Sequence, residues 1–288
     1  MLVVYSAFAA PSQSEIGIMV FTEAYVQAGD GTRLFCRTAG EGPTTLLFLH
    51  GWGGSGSGAF WDRALQHLDP SGLRLVLVDL RGHGRSDHAT EGFTTERFAE
   101  DMFDVADHVG ARELVVVAFS MSARWAQWMA CTNPDRVVGQ ILFGPAPAAA
   151  LPLTEAMLDD WITATASPAT FVTFIGQFTK NPLDTEALDG YYAAVHTTPE
   201  RSLRESFRMC TQPGFSERLV ATRGRTLVVA GAHDPMLPST YLREEVVCKL
   251  PAARLVTLDC GHEIPLEQPQ ATAALIEAFV AGLANRPS

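Results

Sequence analysis

Short apolar runs punctuate the chain: TLLFLH, LRLVLVDL, ELVVVAF, VVGQILFG, TLVVAGA and ARLVTLD. They are nearly continuous in apolar residues rather than alternating, which predicts strands covered on both faces. Between them lie segments with helical periodicity. Phe98, Met102, Val105 and Val109 fall on one face, with Thr94 or Thr95 as cap and Gly110 as stop. The stretch from Gln270 to about Leu283 is equally apolar on one side. Alternating strands and helices predict an α/β fold, a mostly parallel central sheet flanked by helices. Ahead of it, AYVQAG and RLFCRTA flank Asp30-Gly31 and predict a hairpin.

One stretch breaks the alternation. From about Ala148 to Glu217 no strand pattern stands out, and helices fit near 153–165, 168–179, 184–196 and 199–210, separated by Pro, Asn or Thr. We expect a helical lid over 148–217, inserted into a core made of 21–147 and 218–288. The alternative is a long helical crossover. Residues 1–20 are expected to be a poorly ordered extension. Their apolar start loosely resembles a signal peptide but has no basic n-region, and translation from Met1 or from Met19 are both open.

Composition narrows the function classes. The 288 residues are 47% hydrophobic and 18% charged, as in a globular protein with a large core. A formal net charge of −11 repels phosphate backbones, so no nucleic-acid partner is expected. With neither a basic amphipathic helix nor an apolar run of spanning length, no membrane partner is expected either. Cys36, Cys131, Cys210, Cys248 and Cys260 are scattered and odd in number, which fits small buried hydrophobes better than disulfides or a zinc site. These readings favour a cytoplasmic protein with a small-molecule substrate. They leave the oligomeric state open.

In parallel α/β sheets, ligands bind beyond the carboxyl ends of the strands, so the residues just after each run carry the chemistry. ELVVVAF runs into Ser120, with a helix of small residues starting at Ser122-Ala123. A serine on a sharp strand-to-helix turn projects its hydroxyl from the sheet; alone, it reads equally well as a helix cap. The turn needs small residues two before and two after, and Ala118 and Ser122 stand there. After TLLFLH comes His50-Gly51-Trp52-Gly53-Gly54, a turn that can aim the backbone N–H of Trp52, together with that of Met121, at a developing oxyanion. Met121 also opens a helix, whose dipole favours negative charge. TLVVAGA leads to His233-Asp234-Pro235, and ARLVTLD to Cys260-Gly261-His262-Glu263. Asp234 is either a turn aspartate or the acid that orients an imidazole, and Gly261 is expected to permit a tight bend before His262. The order Ser120, Asp234, His262, each after its own strand, is the order of a hydrolytic triad on a parallel sheet. His50, His83 and His233 read as structural, and Asp259 as leaving its strand on the opposite face.

The loops HGWGG, DLRGHGRSD, AFSMSA, GAHDPMLP and CGHEIPLEQP resemble the α/β-hydrolase superfamily, most of all its small lidded esterases, lactonases and perhydrolases. The resemblance runs from about Phe21 to Leu283. It implies Ser120 as nucleophile, Asp234 as acid, His262 as base, and Trp52 and Met121 as oxyanion donors. It departs from the usual pattern at Ala118 and Ser122, where glycines are common. The Ser-x-Ser-Ala form also occurs in butenolide-sensing receptors of this superfamily.

The expected chemistry is cleavage of a small, apolar carboxylic ester or lactone through an acyl-enzyme, which calls for no metal or organic cofactor. Pocket candidates are Trp52, Phe119 and Met121 with the lid aromatics Trp161, Phe171, Phe174 and Phe178. The Phe171, Phe174, Phe178 stripe fits lid-to-body packing as well. Competing functions are a ligand-sensing signalling module with slow turnover, and a lyase or oxygenase that uses the His-Asp pair without serine attack.

Overall fold

The computed structural model describes residues 2–4, 19–53 and 58–284. Its strands are β1 (Leu2–Val4), β2 (Val20–Gln27), β3 (Arg33–Ala39), β4 (Thr44–Leu49), β5 (Leu73–Val78), β6 (Leu114–Phe119), β7 (Val137–Phe143), β8 (Arg225–Gly231) and β9 (Ala253–Leu258). They form one sheet in the order β1-β2-β3-β5-β4-β6-β7-β8-β9. The predicted hairpin is the antiparallel pair β2–β3, and every neighbour from β5 through β9 is parallel. Of the expected N-terminal extension, Leu2–Val4 add an antiparallel edge to β2; Met1 and residues 5–18 lie outside the described residues.

The unbroken apolar runs have a direct cause. Along β4, Leu47 and Leu49 enter one core with Val76, Val78, Val116 and Ala118, and Leu46 and Phe48 enter the other with Leu75, Leu77, Val115 and Val117. Each strand therefore needs apolar residues at both parities. Helices α2 (Thr95–His108) and α3 (Ser122–Thr132) close the first face through Phe98, Met102, Trp125 and Met129. The second is closed by Trp61 and Leu65, the latter in α1 (Asp62–Leu65), and by Ile276 of the last helix. Thr94 caps α2 by accepting from the Arg97 N–H, and Gly110 ends it at φ = 70°.

Between β7 and β8 the chain forms α4 (Glu155–Ala164), α5 (Pro168–Ile175), α6 (Thr185–Thr197) and α7 (Glu200–Met209), and among the described residues this interval adds no strand to the sheet. Thr154, Ser167 and Asp184 cap the first three through their side chains. The two ends of the segment meet on one residue. Arg124 of α3, fully buried, donates to the carbonyls of Pro147, Ala148 and Ala149 where the segment leaves, and to those of Gln212 and Pro213 where it returns. The chain ends through α8 (Ser239–Glu245), α9 (Ile264–Glu267) and α10 (Pro269–Ala284).

Among the described residues no helix is long and apolar enough to cross a membrane. Cys36, Cys131, Cys210 and Cys260 are buried as expected; Cys248 is exposed, because it stands on a short turn beyond α8.

Candidate active site

The strand order reverses at β4: β5 lies on one side of it and β6 on the other. Loops leaving β4 and β6 therefore diverge from a crevice at their carboxyl ends. His50-Gly51-Trp52 follows β4 there, and Ser120 follows β6. Ser120 has φ = 53°, and among the described residues every other positive φ belongs to a glycine. Left-handed backbone at a side-chain-bearing residue costs on the order of 1–2 kcal/mol, so the surroundings must hold it. They do so from two sides. The Ser120 N–H donates to Phe143 O of β7, and its carbonyl accepts from Ala123 and Ala146. The buried Ser122 hydroxyl accepts from the Phe119 N–H and lies 3.1 Å from both Leu49 O and Phe119 O, either of which can take its proton. A serine where glycine is common thus ties the turn to the end of β4.

The polar side chains expected to work together lie in one line. Ser120 Oγ is 2.9 Å from His262 Nε2, and His262 Nδ1 is 2.6 Å from Asp234 Oδ2. A carboxylate only accepts, so Nδ1 carries the proton and Nε2 is left to accept from the serine hydroxyl. Asp234 is fixed in turn: its Oδ1 accepts from the Met236 and Leu237 N–H groups at 2.9 Å each. Burial alone would raise its pKa, but the His262 charge and these hydrogen bonds hold it below the ordinary carboxylate value. Burial alone would lower the His262 pKa; the charge and hydrogen bond of Asp234 outweigh it, and the result lies above the ordinary imidazole value.

Asp259 stands apart, exposed and bonded to His233 and Lys180. His50 is buried, accepts from the Leu80 N–H and donates to Gly51 O, and burial pushes its pKa down to about 4. Its role is to join the ends of β4 and β5. His83 is likewise buried and bonded to Arg81 O. Arg81 of the conspicuous DLRGHGRSD loop pairs with Asp101 and Asp30, tying α2 to the hairpin.

Met121 sits between Ser120 and α3, and among the described residues no acceptor takes its N–H. Trp52 lies on the loop after β4, before Gly53 at φ = 68°, and its indole donates to Leu203 O of α7 at 2.7 Å. Gly54 lies outside the described residues. Gly261 differs from expectation: what it supplies is close approach. A Cβ there would fall 2.1 Å from Phe178 O, and that carbonyl accepts from the His262 N–H at 2.6 Å.

A cavity of about 40 Å³ opens on Ser120 and His262. Of the pocket candidates, Trp52, Phe119, Trp161, Phe174 and Phe178 line it, with Ile175, Tyr191, Met236 and Glu263, which the sequence did not single out. Met121 is buried and, like Phe171, does not line it. Phe171 is a correction: it is buried against Tyr191 and Tyr192, on the side of α5 turned toward α6. Trp161, Phe174 and Phe178 also line an open groove of about 690 Å³, so this aromatic wall stands between the cavity and that groove. Glu263 escaped notice because a glutamate beside a histidine reads as a solvent charge; the apolar residues after it, Ile264-Pro265-Leu266, were the available signal. Among the described residues no cluster of three or more His, Cys, Asp or Glu side chains could hold a metal ion.

Comparison with known proteins agrees on the framework. The chain is 29% identical over 265 residues to the dihydrolipoyllysine-residue acetyltransferase component of the acetoin cleaving system of Cupriavidus necator, covering 88% of this chain and 68% of that protein. It is 35% identical over 124 residues to a non-heme haloperoxidase of Rhodococcus erythropolis, a match that covers 43% of this chain and 44% of that protein. An esterase from Exiguobacterium antarcticum superposes with a TM-score of 0.81 at 19% identity, covering 90% of this chain and all of that one, which is a likeness of fold. A family model described as alpha/beta hydrolase fold matches residues 44–269, and with the sheet and loops above it establishes that this chain belongs to the alpha/beta hydrolase family.

Proposed function

We propose that the chain is a serine hydrolase of small carboxylic esters or lactones. The observation that carries this reading is the continuous relay from Ser120 Oγ through His262 to Asp234. As Ser120 Oγ bonds to the substrate carbonyl carbon, His262 Nε2 takes its proton, and Asp234 stabilises the imidazolium. The Trp52 and Met121 N–H groups hold the oxyanion, each such donor being worth about 3 kcal/mol. Collapse breaks the ester C–O bond, and His262 returns the proton to the departing alkoxide. Water, deprotonated by His262, then releases the acid and restores the serine. No step calls for a metal or organic cofactor.

In this reading residues 148–217 act as a lid on a core of 21–147 and 218–288. A cavity of about 40 Å³ lies far below the roughly 300–1,000 Å³ usual for ligand sites. Substrates are therefore small, or enter by displacing the aromatic wall. That wall favours a mostly apolar substrate.

The test is a panel of acyl esters and lactones of graded size, with Ser120→Ala as the blank and a serine-directed organophosphonate as label. We expect turnover in the wild type, labelling at Ser120 alone, and loss of both in the variant. Labelling elsewhere, or full activity in Ser120→Ala, overturns the assignment; labelling with only very slow turnover points to a ligand-sensing module.

A further inference from the structure

Glu263 follows His262 directly and is 3% exposed. Its Oε1 accepts from the Tyr191 hydroxyl at 2.8 Å, while Oε2 is buried and, among the described residues, has no hydrogen-bond partner. Native proteins seldom leave such an atom unsatisfied without a use for it. The fold does not supply one here. Glu263 precedes α9, yet its side chain makes no cap hydrogen bond. Glu267, four residues on, is by contrast fully used, accepting from the Gly261 and Lys180 N–H groups. Glu263 and Tyr191 line the same cavity as Ser120 and His262, and the remaining wall is aromatic or aliphatic. The cavity thus has one polar spot besides the reacting groups.

We propose that Glu263, held by Tyr191, is a specificity-determining residue that receives a hydroxyl group carried by the substrate, with Oε2 as its partner. This rests on the ester-hydrolase reading and narrows it to hydroxy-substituted esters or lactones. A hydroxyl is the group that suits the site in either protonation state, donating to a carboxylate and accepting from a carboxylic acid. Both states occur near neutrality. Burial pushes the Glu263 carboxyl up to about 7, the His262 charge and the Tyr191 hydrogen bond draw it back, and the charges of Glu267 and Asp234 add to the rise. An anionic substrate group is disfavoured there by those same two carboxylates.

The experiment compares kcat/KM for ethyl butanoate and γ-butyrolactone with that for their α-hydroxy and β-hydroxy derivatives, both enantiomers included. The wild type should prefer at least one hydroxy compound by about tenfold or more, since a buried site built to bond a hydroxyl rejects the analogue that lacks it. In Glu263→Met that ratio should fall to near unity. Glu263→Gln, whose amide can still donate to the hydroxyl oxygen, should keep part of it. Should Glu263→Met fail to fold, Tyr191→Phe must lower the ratio by freeing the carboxyl from its anchor. A wild type that turns over the plain esters with no hydroxyl preference overturns this proposal and leaves the hydrolase reading standing, as does a preference that survives in Glu263→Met. Absence of any turnover together with absence of a label on Ser120 overturns the hydrolase reading, and this proposal with it.

Discussion

Ser120 follows β6 near the buried middle of the sheet, where α3 adds Ala123, Trp125, Ala126 and Met129 to the core, and Asp234 and His262 follow β8 and β9, the last two strands. On the other side of the cavity, α4 buries only Leu158 and α5 only Phe171 and Ile175. The first region is held by apolar packing at both faces of the strands. The second is held by an aromatic cluster, in which Trp161 meets Trp52, Phe174, Phe178 and Phe207, and by ion pairs between α4 and α7. Those pairs, Arg208 with Glu155 and Arg204 with Asp159, join solvent-exposed carboxylates and contribute little stability. The contrast teaches a division of labour. In the proposed function, the reacting groups stand on short loops at the ends of the sheet strands, and the wall facing the substrate is built from aromatic contacts that can re-form. Polar contacts that join the two include the Arg124 clamp, the Phe178 carbonyl on the His262 N–H, Lys180 against Glu267 and Asp259, the Trp52 indole on Leu203 O, Tyr191 against Glu263, and Arg63 against Asp184.

The largest effect is expected on the sheet side. Asp234→Asn should keep the fold, by circular dichroism, yet lower kcat by about ten-thousand-fold, because asparagine can support the wrong imidazole tautomer. Its residual activity should also show a displaced pH profile. A base works only when neutral, so the acidic limb of the wild-type kcat/KM should lie above the ordinary imidazole pKa; with the Asp234 charge gone, its largest raising influence is lost and the limb should move to lower pH. Near-normal kcat in Asp234→Asn, with Asp259→Asn inactive instead, would make Asp259 the acid.

A change at the junction should act on both regions. Arg124→Met removes the side-chain donor from five carbonyls, of which Ala148 O keeps the Phe215 N–H, and should cost about 3 kcal/mol of stability. Limited proteolysis should then cut within 147–213 before it cuts the core. Equal rates of cleavage in the two parts would mean that Arg124 supports the whole fold and does not fasten the helical segment in particular.

The smallest effect is expected on the wall itself. Phe174→Ala opens the aromatic cluster without touching the relay, so KM for a small ester should rise about tenfold while kcat stays within a few-fold. A collapse of kcat at unchanged KM would mean that this residue positions the reacting groups, and the division of labour would not hold.

Much of this architecture is written locally. A strand with both faces covered needs apolar residues at both parities, so β4 through β8 announced themselves as nearly continuous runs, while β9, at the sheet edge, carries Arg254 and Thr257 within its run. A loop at a strand's carboxyl end lies on the sheet edge whatever its neighbours, so Ser120, Asp234 and His262 could be placed together from their positions alone. Caps at Thr154, Ser167 and Asp184 act within one helical turn, and the helix starts expected in 148–217 fall within two residues of those found, whereas α5 ends at Ile175, four residues before the expected end.

The rest depends on which surfaces meet. Phe171, Phe174 and Phe178 share a helical period, yet α6 covers the first and the cavity receives the other two. Periodicity fixes which residues lie on one face of a helix but not what that face packs against. Glu263 and Tyr191 are 72 residues apart, and neither carries a local mark of the other. Gly261 is needed for the passing carbonyl of Phe178, and Arg124 for the two ends of an insertion that begins 23 residues later. Contacts of this kind arise when separate elements are pressed together by burial of their apolar faces, a process that a single stretch of sequence does not describe.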